Sequence, residues 1–176
     1  MTVSFAAGAE GPWRIVRIAA VLGAPLQTAA RLAVSEGAPP AGAIWTLRGV
    51  RSNERYTTRE EKVRLAAASP ALGRPGMLAA MLPVRKSARW WDLAQDERRG
   101  VLERSRHLDI GMEYLPAVAR RLYHSRDLGE PFDFITWFEF AEADAAAFDR
   151  LLERLRATEE WDYVEREIDV RLARAG

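Results

Sequence analysis

The chain has 176 residues, 48% hydrophobic and 29% charged, which suits one globular domain or two small subdomains sharing a core. With 26 basic and 25 acidic residues the formal net charge is +1, without the cationic surplus expected of a nucleic-acid binder. Cysteine is absent, so disulfide frameworks, thiolate metal sites and cysteine nucleophiles are excluded.

The opening segment, MTVSFAAGAEGPWR, lacks the basic region and long apolar run of a signal peptide. No apolar stretch is long enough to span a bilayer, and the expectation is a cytoplasmic protein with no membrane partner. Trp13 to Leu22 is β-branched and apolar and ends at Gly23-Ala24-Pro25, which predicts a strand closed by breakers. Leu26 to Val34 predicts a short helix, Glu36 to Gly42 a loop, and Ala43 to Val50 a second strand. Asn53 marks a helix start signal. The run Thr57-Thr58-Arg59-Glu60-Glu61 has the form of a capping box, so a helix is expected from Thr58 to Ala68, broken by Pro70 and Gly73 to Gly76.

Within Met77 to Lys86, the half from Met81 to Arg85 predicts an edge strand, where Pro83 is tolerated. Ser87 to Leu93 starts a helical stretch, and Asp96 to His107 a helix with His107 at its end; Gly111 and Pro116 close this region. Ala117 to Arg126 alternates as a strand, with Val118, Arg120, Leu122, His124 and Arg126 on one face. Phe132 to Phe140 alternates more sharply, with Phe132, Phe134, Thr136, Phe138 and Phe140 together; the two strands form a hairpin. Glu142 to Arg156 is a helix with Phe148, Leu151, Leu152 and Leu155 on one stripe, and Tyr163 to Leu172 is the last strand.

From Met81 onward the order is β-α-β-β-α-β, the ferredoxin-like arrangement, and the first half is a shorter version of the same plan. The expected fold is α+β: two ferredoxin-like antiparallel sheets forming an α+β barrel, with a reduced N-terminal subdomain (1–80) and a C-terminal, cofactor-binding subdomain (81–176).

The chemistry-bearing residues leave alternatives open. His107 reads as a helix-capping histidine or as an axial ligand, which is all that a porphyrin iron asks of a protein. Arg120 reads as a sheet-rim salt-bridge partner or as a guanidinium held to meet an anion. Trp90 and Trp91 suit core or interface as well as a cofactor wall, and Glu159 and Glu160 suit the end of a helix.

The segments LRGVRSNERY (Leu47–Tyr56), RKSARWW (Arg85–Trp91), YLPAVARRLYHSRDLGEPFDFITWFEF (Tyr114–Phe140) and LRATEEWDYVEREIDVRL (Leu155–Leu172) together resemble the chlorite dismutase family, and more closely its short-chain, dimeric branch. The resemblance implies haem b as cofactor and a homodimer. It also implies an enzyme converting chlorite to chloride and dioxygen through a high-valent oxo-iron species. It matches His107 to the proximal iron ligand and Glu160 to the acid bonded to that ligand's other ring nitrogen. Arg120 matches the distal arginine that holds chlorite and hypochlorite. Lys86, Trp90 and Tyr56 match residues around the haem rim and propionates; Leu122, Thr136 and Phe138 match the distal wall. Trp91 matches a tryptophan nearer the subunit contact, and His124 matches no haem ligand and is assigned a structural role. The rival readings are a coproheme decarboxylase, whose distal position is generally not arginine, and a non-catalytic haem carrier or sensor.

Overall fold

A computed structural model describes residues 1–51 and 56–175. Asn53, and with it the expected start signal, lies outside the described residues. Eight antiparallel strands close into one barrel: β1 (Thr2–Gly8), β2 (Trp13–Leu22), β3 (Arg31–Glu36), β4 (Trp45–Arg51), β5 (Leu78–Lys86), β6 (Val118–His124), β7 (Phe134–Phe140) and β8 (Val164–Arg174). Around the barrel the order is β1-β3-β2-β8-β5-β7-β6-β4. The helices are α1 (Arg59–Ala68), α2 (Ala88–Asp92), α3 (Gln95–Arg104), α4 (His107–Glu113) and α5 (Ala145–Arg156). The fold is therefore α+β with a closed antiparallel barrel.

Strand alternation divides the molecule into two cores. Residues from all eight strands fill the barrel, among them Phe5, Trp13, Leu32, Leu47, Met81, Tyr123, Trp137, Ile168 and Val170. Their neighbours one residue along point outward. Ala80, Leu82, Val118, Phe138 and Phe140 pack outside the barrel against Phe148, Leu151, Leu152 and Leu155 of α5 and Ile110 of α4. Those four α5 positions are one stripe of a 3.6-residue period, so this helix has only one way to bury its apolar side. The hairpin of β6 and β7 sets Arg120 opposite Phe138 and Leu122 opposite Thr136. The whole even-numbered face of β5, β6 and β7 is thus turned out of the barrel and under the helices.

The structure departs from the sequence reading in several places. Thr2–Gly8 forms a strand that was not expected, although Val3, Phe5 and Ala7 alternate with smaller residues and point inward. The stretch Leu26 to Val34 is not a helix: its second half enters β3, which pairs with β1 (Phe5 with Val34, Ala7 with Leu32). The helix propensity of its alanines and leucines yields to a strand partner that claims Leu32 for the barrel core. β5 is not an edge strand, since it lies between β7 and β8. Pro83 is accommodated because the pairing with β8 passes from Met81 to Val84, omitting Leu82 and Pro83, so its missing N–H costs no bond there. Gly111 does not end a helix but lies inside α4.

The capping box formed as expected. Thr58 Oγ1 accepts from Glu61 N at 3.2 Å, and Thr58 N donates to Glu61 Oε2 at 2.6 Å. α1 follows β4 in the chain, and its Leu65 lines the smaller pocket described next together with Leu151, Leu152 and Leu155 of α5.

Candidate functional site

His107 does not end a helix; it begins one. The α3 helix stops at Arg104, Arg106 adopts the left-handed region (φ 51°), and His107 is the first residue of α4. Tyr56 (φ 62°) is the other described non-glycine residue in that region. Such backbone is uncommon for residues with a side chain and persists where the surroundings hold it. Both residues line the same cavity.

That cavity has a volume of about 440 Å³ and is walled by helices α3 and α4 on one side and the outward face of β6 and β7 on the other. Pockets of several hundred Å³ take small molecules and cofactors. A smaller space of about 90 Å³, mostly apolar, lies between the sheet and α5. Both are lined by Val84, His107, Leu108, Arg120, Thr136 and Trp161, so the two meet there.

The structure brings every residue singled out above for haem or chlorite to these walls. Arg120, Thr136 and His107 line both cavities; Tyr56, Lys86, Trp90, Leu122 and Glu160 line the larger, and Phe138 the smaller. Trp91 lines neither. It stacks on Phe134 at 6.0 Å beneath the Arg126 guanidinium, 3.7 Å from its ring, and its Nε1 donates to Asp133 at 3.3 Å.

A hydrogen-bonded triad of His107, Glu160 and Lys86 lines the larger cavity. Glu160 sits in the single 3-10 turn Glu159–Tyr163 that links α5 to β8. Its Oε2 is 2.5 Å from His107 Nδ1 and its Oε1 accepts from Lys86 Nζ at 2.8 Å. Its backbone N–H donates to Ser105 Oγ at 2.9 Å, and Lys86 N–H donates to Asp133 at 2.7 Å, so both ends of the pair are anchored. Lys86 and Glu160 are buried, at 5% and 6% exposure. Burial pushes the Glu160 carboxyl up, but the charges and hydrogen bonds of His107 and Lys86 outweigh it and hold the carboxyl well below the usual range. With Nδ1 committed to a carboxylate, Nε2 is the ring nitrogen left for a ligand, the arrangement in which a second partner fixes a metal-ligating histidine.

Trp90 packs under Lys86, 4.5 Å from ring centroid to Nζ, and edge-on to Tyr163. Its own Nε1 is buried without a hydrogen-bond partner. The Tyr56 hydroxyl accepts from Arg98 at 3.2 Å, and the Tyr56 carbonyl accepts from Arg99. Arg99 also grips both oxygens of Glu61 at 2.8 and 2.9 Å, clasping α1 to α3 at the cavity rim.

Several lining residues escaped the sequence reading. His124 lines the larger cavity on the same strand face as Arg120, and the alternation of β6 was the signal available for it. Trp161 follows Glu160 in an irregular turn where no periodicity marks it. Arg99, Arg106 and Glu61 line the same cavity, and Glu61 of α1 reaches Arg99 of α3 there.

Fold and pocket together define an α+β barrel with a histidine–carboxylate–lysine triad and a strand-borne arginine lining one cavity. The chlorite dismutase family model matches residues 19–175, and the chain belongs to that family. It is 51% identical to the dimeric chlorite dismutase of Nitrobacter winogradskyi, with a TM-score of 0.92, covering 99% of this chain and 100% of that one. It is 26% identical to the chlorite dismutase of Candidatus Nitrospira defluvii in complex with imidazole, with a TM-score of 0.59, covering 81% of this chain and 56% of that one. The curated chlorite dismutase of Ideonella dechloratans is 39% identical over 85 residues, a match spanning 48% of this chain and 28% of that longer relative.

Proposed function

We propose that this chain is a haem b chlorite dismutase, converting chlorite to chloride and dioxygen. The observation that carries the reading is the His107–Glu160–Lys86 triad lining the same cavity as Arg120. Among the described residues no cluster of three or more His, Asp or Glu could hold a bare metal ion. A porphyrin supplies four ligands itself and needs one axial imidazole, so the donor set fits haem.

Bound haem would supply the redox-active iron that accepts oxygen from chlorite. The chain's own residues do the rest. His107 would hold the iron through Nε2, and Glu160, bonded to Nδ1, would keep that proton in place and make the imidazole a stronger donor. Lys86 fixes the second oxygen of Glu160, so the carboxylate cannot swing away. Lys86, Trp90 and Tyr56 surround the rim. Arg120 would attract the chlorite anion and keep chlorine–oxygen anions within the pocket; a fixed charge in a partly dry pocket acts far more strongly than in water. Leu122, Thr136 and Phe138 keep water and competing donors from that space.

We extend the proposal to the assembly and its layout. The full-length neighbour from Nitrobacter winogradskyi is described as dimeric, which supports a homodimer here. Residues 1–80 and 81–176 are proposed as two ferredoxin-like subdomains. Numbered within each half, both sets of four strands run 4-1-3-2, and the joint is the segment before Leu78. No helix among the described residues is long and apolar enough to cross a membrane. A cytoplasmic location belongs to the same proposal and is checked by cell fractionation.

The test is direct. Purified protein loaded with haem should show a Soret band and release oxygen when chlorite is added. A Soret band without oxygen would reduce the protein to a haem carrier; no Soret band would remove the cofactor.

A further inference from the structure

We propose that Trp161 is a built-in one-electron donor to the pocket, its indole proton passing to Glu167 as the electron leaves. The inference rests on the haem reading above, together with three observations independent of it. First, Trp161 is the one tryptophan, among the described residues, that lines both cavities, alongside His107 and Arg120. It therefore stands where the reacting centre would be.

Second, its Nε1 donates to Glu167 Oε2 at 2.8 Å. Glu167 is fully buried, on the outward face of β8, and its other oxygen accepts two N–H groups of Arg156 at 2.9 and 2.7 Å. A carboxylate taken this far from water is costly unless its lone pairs are engaged. Arg156 pins one oxygen, which leaves the other aimed at the indole.

Third, Trp90 lies against the same larger cavity and lacks this arrangement. Its Nε1 has no partner, and the Lys86 ammonium is 4.5 Å from its ring, against 5.5 Å for Trp161. A cation over an aromatic face is attracted to its electrons and so opposes their removal. Losing an electron makes the indole N–H strongly acidic; at Trp161 a hydrogen-bonded base stands ready, and at Trp90 none does. Oxidation is thereby directed to Trp161.

The step balances with hydrogen peroxide as oxidant. Peroxide takes two electrons from the loaded cofactor as its O–O bond breaks and a water leaves. Trp161 returns one electron. Its N–H bond breaks, an O–H bond forms at Glu167 Oε2, and a neutral indolyl radical remains. Stray oxidising equivalents then end at a defined residue rather than on the porphyrin.

Haem-loaded protein mixed with peroxide, frozen within milliseconds and read by high-field EPR, should give a neutral tryptophanyl signal. A nitroso spin trap, mapped by mass spectrometry on the unmutated protein, should mark residue 161. Trp161→Phe should lose both signal and adduct, Trp90→Phe should keep them, and Glu167→Gln should lose the neutral radical. An adduct elsewhere, or an undiminished signal in Trp161→Phe, overturns the proposal. Should Trp161→Phe fail to hold haem, the mapping on unmutated protein still decides. A haem-loaded protein that forms no radical sinks this inference alone; failure to show a Soret band removes the haem reading as well.

Discussion

His107 and Glu160 stand 53 residues apart in the chain yet meet at 2.5 Å, with Lys86 on the carboxylate's far oxygen. Removing one member of such a buried set leaves an uncompensated charge. Glu160→Gln should therefore weaken haem retention and alter the ferric spectrum, read as faster haem transfer to an acceptor globin. An unchanged transfer rate and spectrum would mean that the triad does not support the ligand. Arg120→Ala should keep haem but lower turnover and bleach the cofactor sooner, because the chlorine–oxygen anion escapes. Stopped-flow absorbance with an oxygen electrode checks both effects, and full turnover without added bleaching would remove the role. The pocket's main residues were legible only through resemblance. Spacing alone left His107 as readable for a helix cap as for a ligand, and the αL turn at Arg106 that starts α4 there has no sequence mark. His124 was placed on the right face and then set aside, since a strand pattern gives facing without saying what lies opposite.

At the scale of elements, the period of α5 identified its buried stripe without any structure, and the same stripe makes a prediction. Phe148 is fully buried and stacks on Phe140 at 4.3 Å. Phe148→Ala should cost about 3–5 kcal/mol, the usual range for a buried aromatic, seen as a shift of the denaturation midpoint. A cost near zero would show that helix and sheet do not pack there. The α1 helix is held differently. Hydrogen bonds from Arg99 lower the Glu61 carboxyl to about 2 from its ordinary 4.5. The clasp contributes its full stability above 4.5 and loses it as pH falls toward 2. Proteolysis or hydrogen exchange within α1 should rise across that window, and Glu61→Gln should flatten the dependence. By contrast β1 and β3 were not recovered, because each is marginal alone and only their mutual pairing decides for strand. Pro83 misled in the same way, since its gap in the β8 ladder is invisible until the barrel closes.

The whole molecule has one filled barrel, with its pocket outside the barrel and its helices gathered over one half. Element order alone gave the α+β class and the barrel. It could not give closure, which rests on short seams: two residue pairs join β4 to β6 and two join β2 to β3. The proposed homodimer should run at twice the chain mass in light scattering at micromolar concentration, and a monomer at that concentration would refute it. Because the barrel is packed solid and lends the pocket only its outer skin, the two respond separately to substitution. Along β5, β6 and β7, odd positions such as Met81, Tyr123, Ile135 and Trp137 belong to the barrel core, while even positions divide between the seat of α5 (Ala80, Val118, Phe140) and the slot (Arg120, Leu122, Thr136). The slot can thus be refitted for a different guest at those slot-facing positions, while the barrel beneath stays as it is.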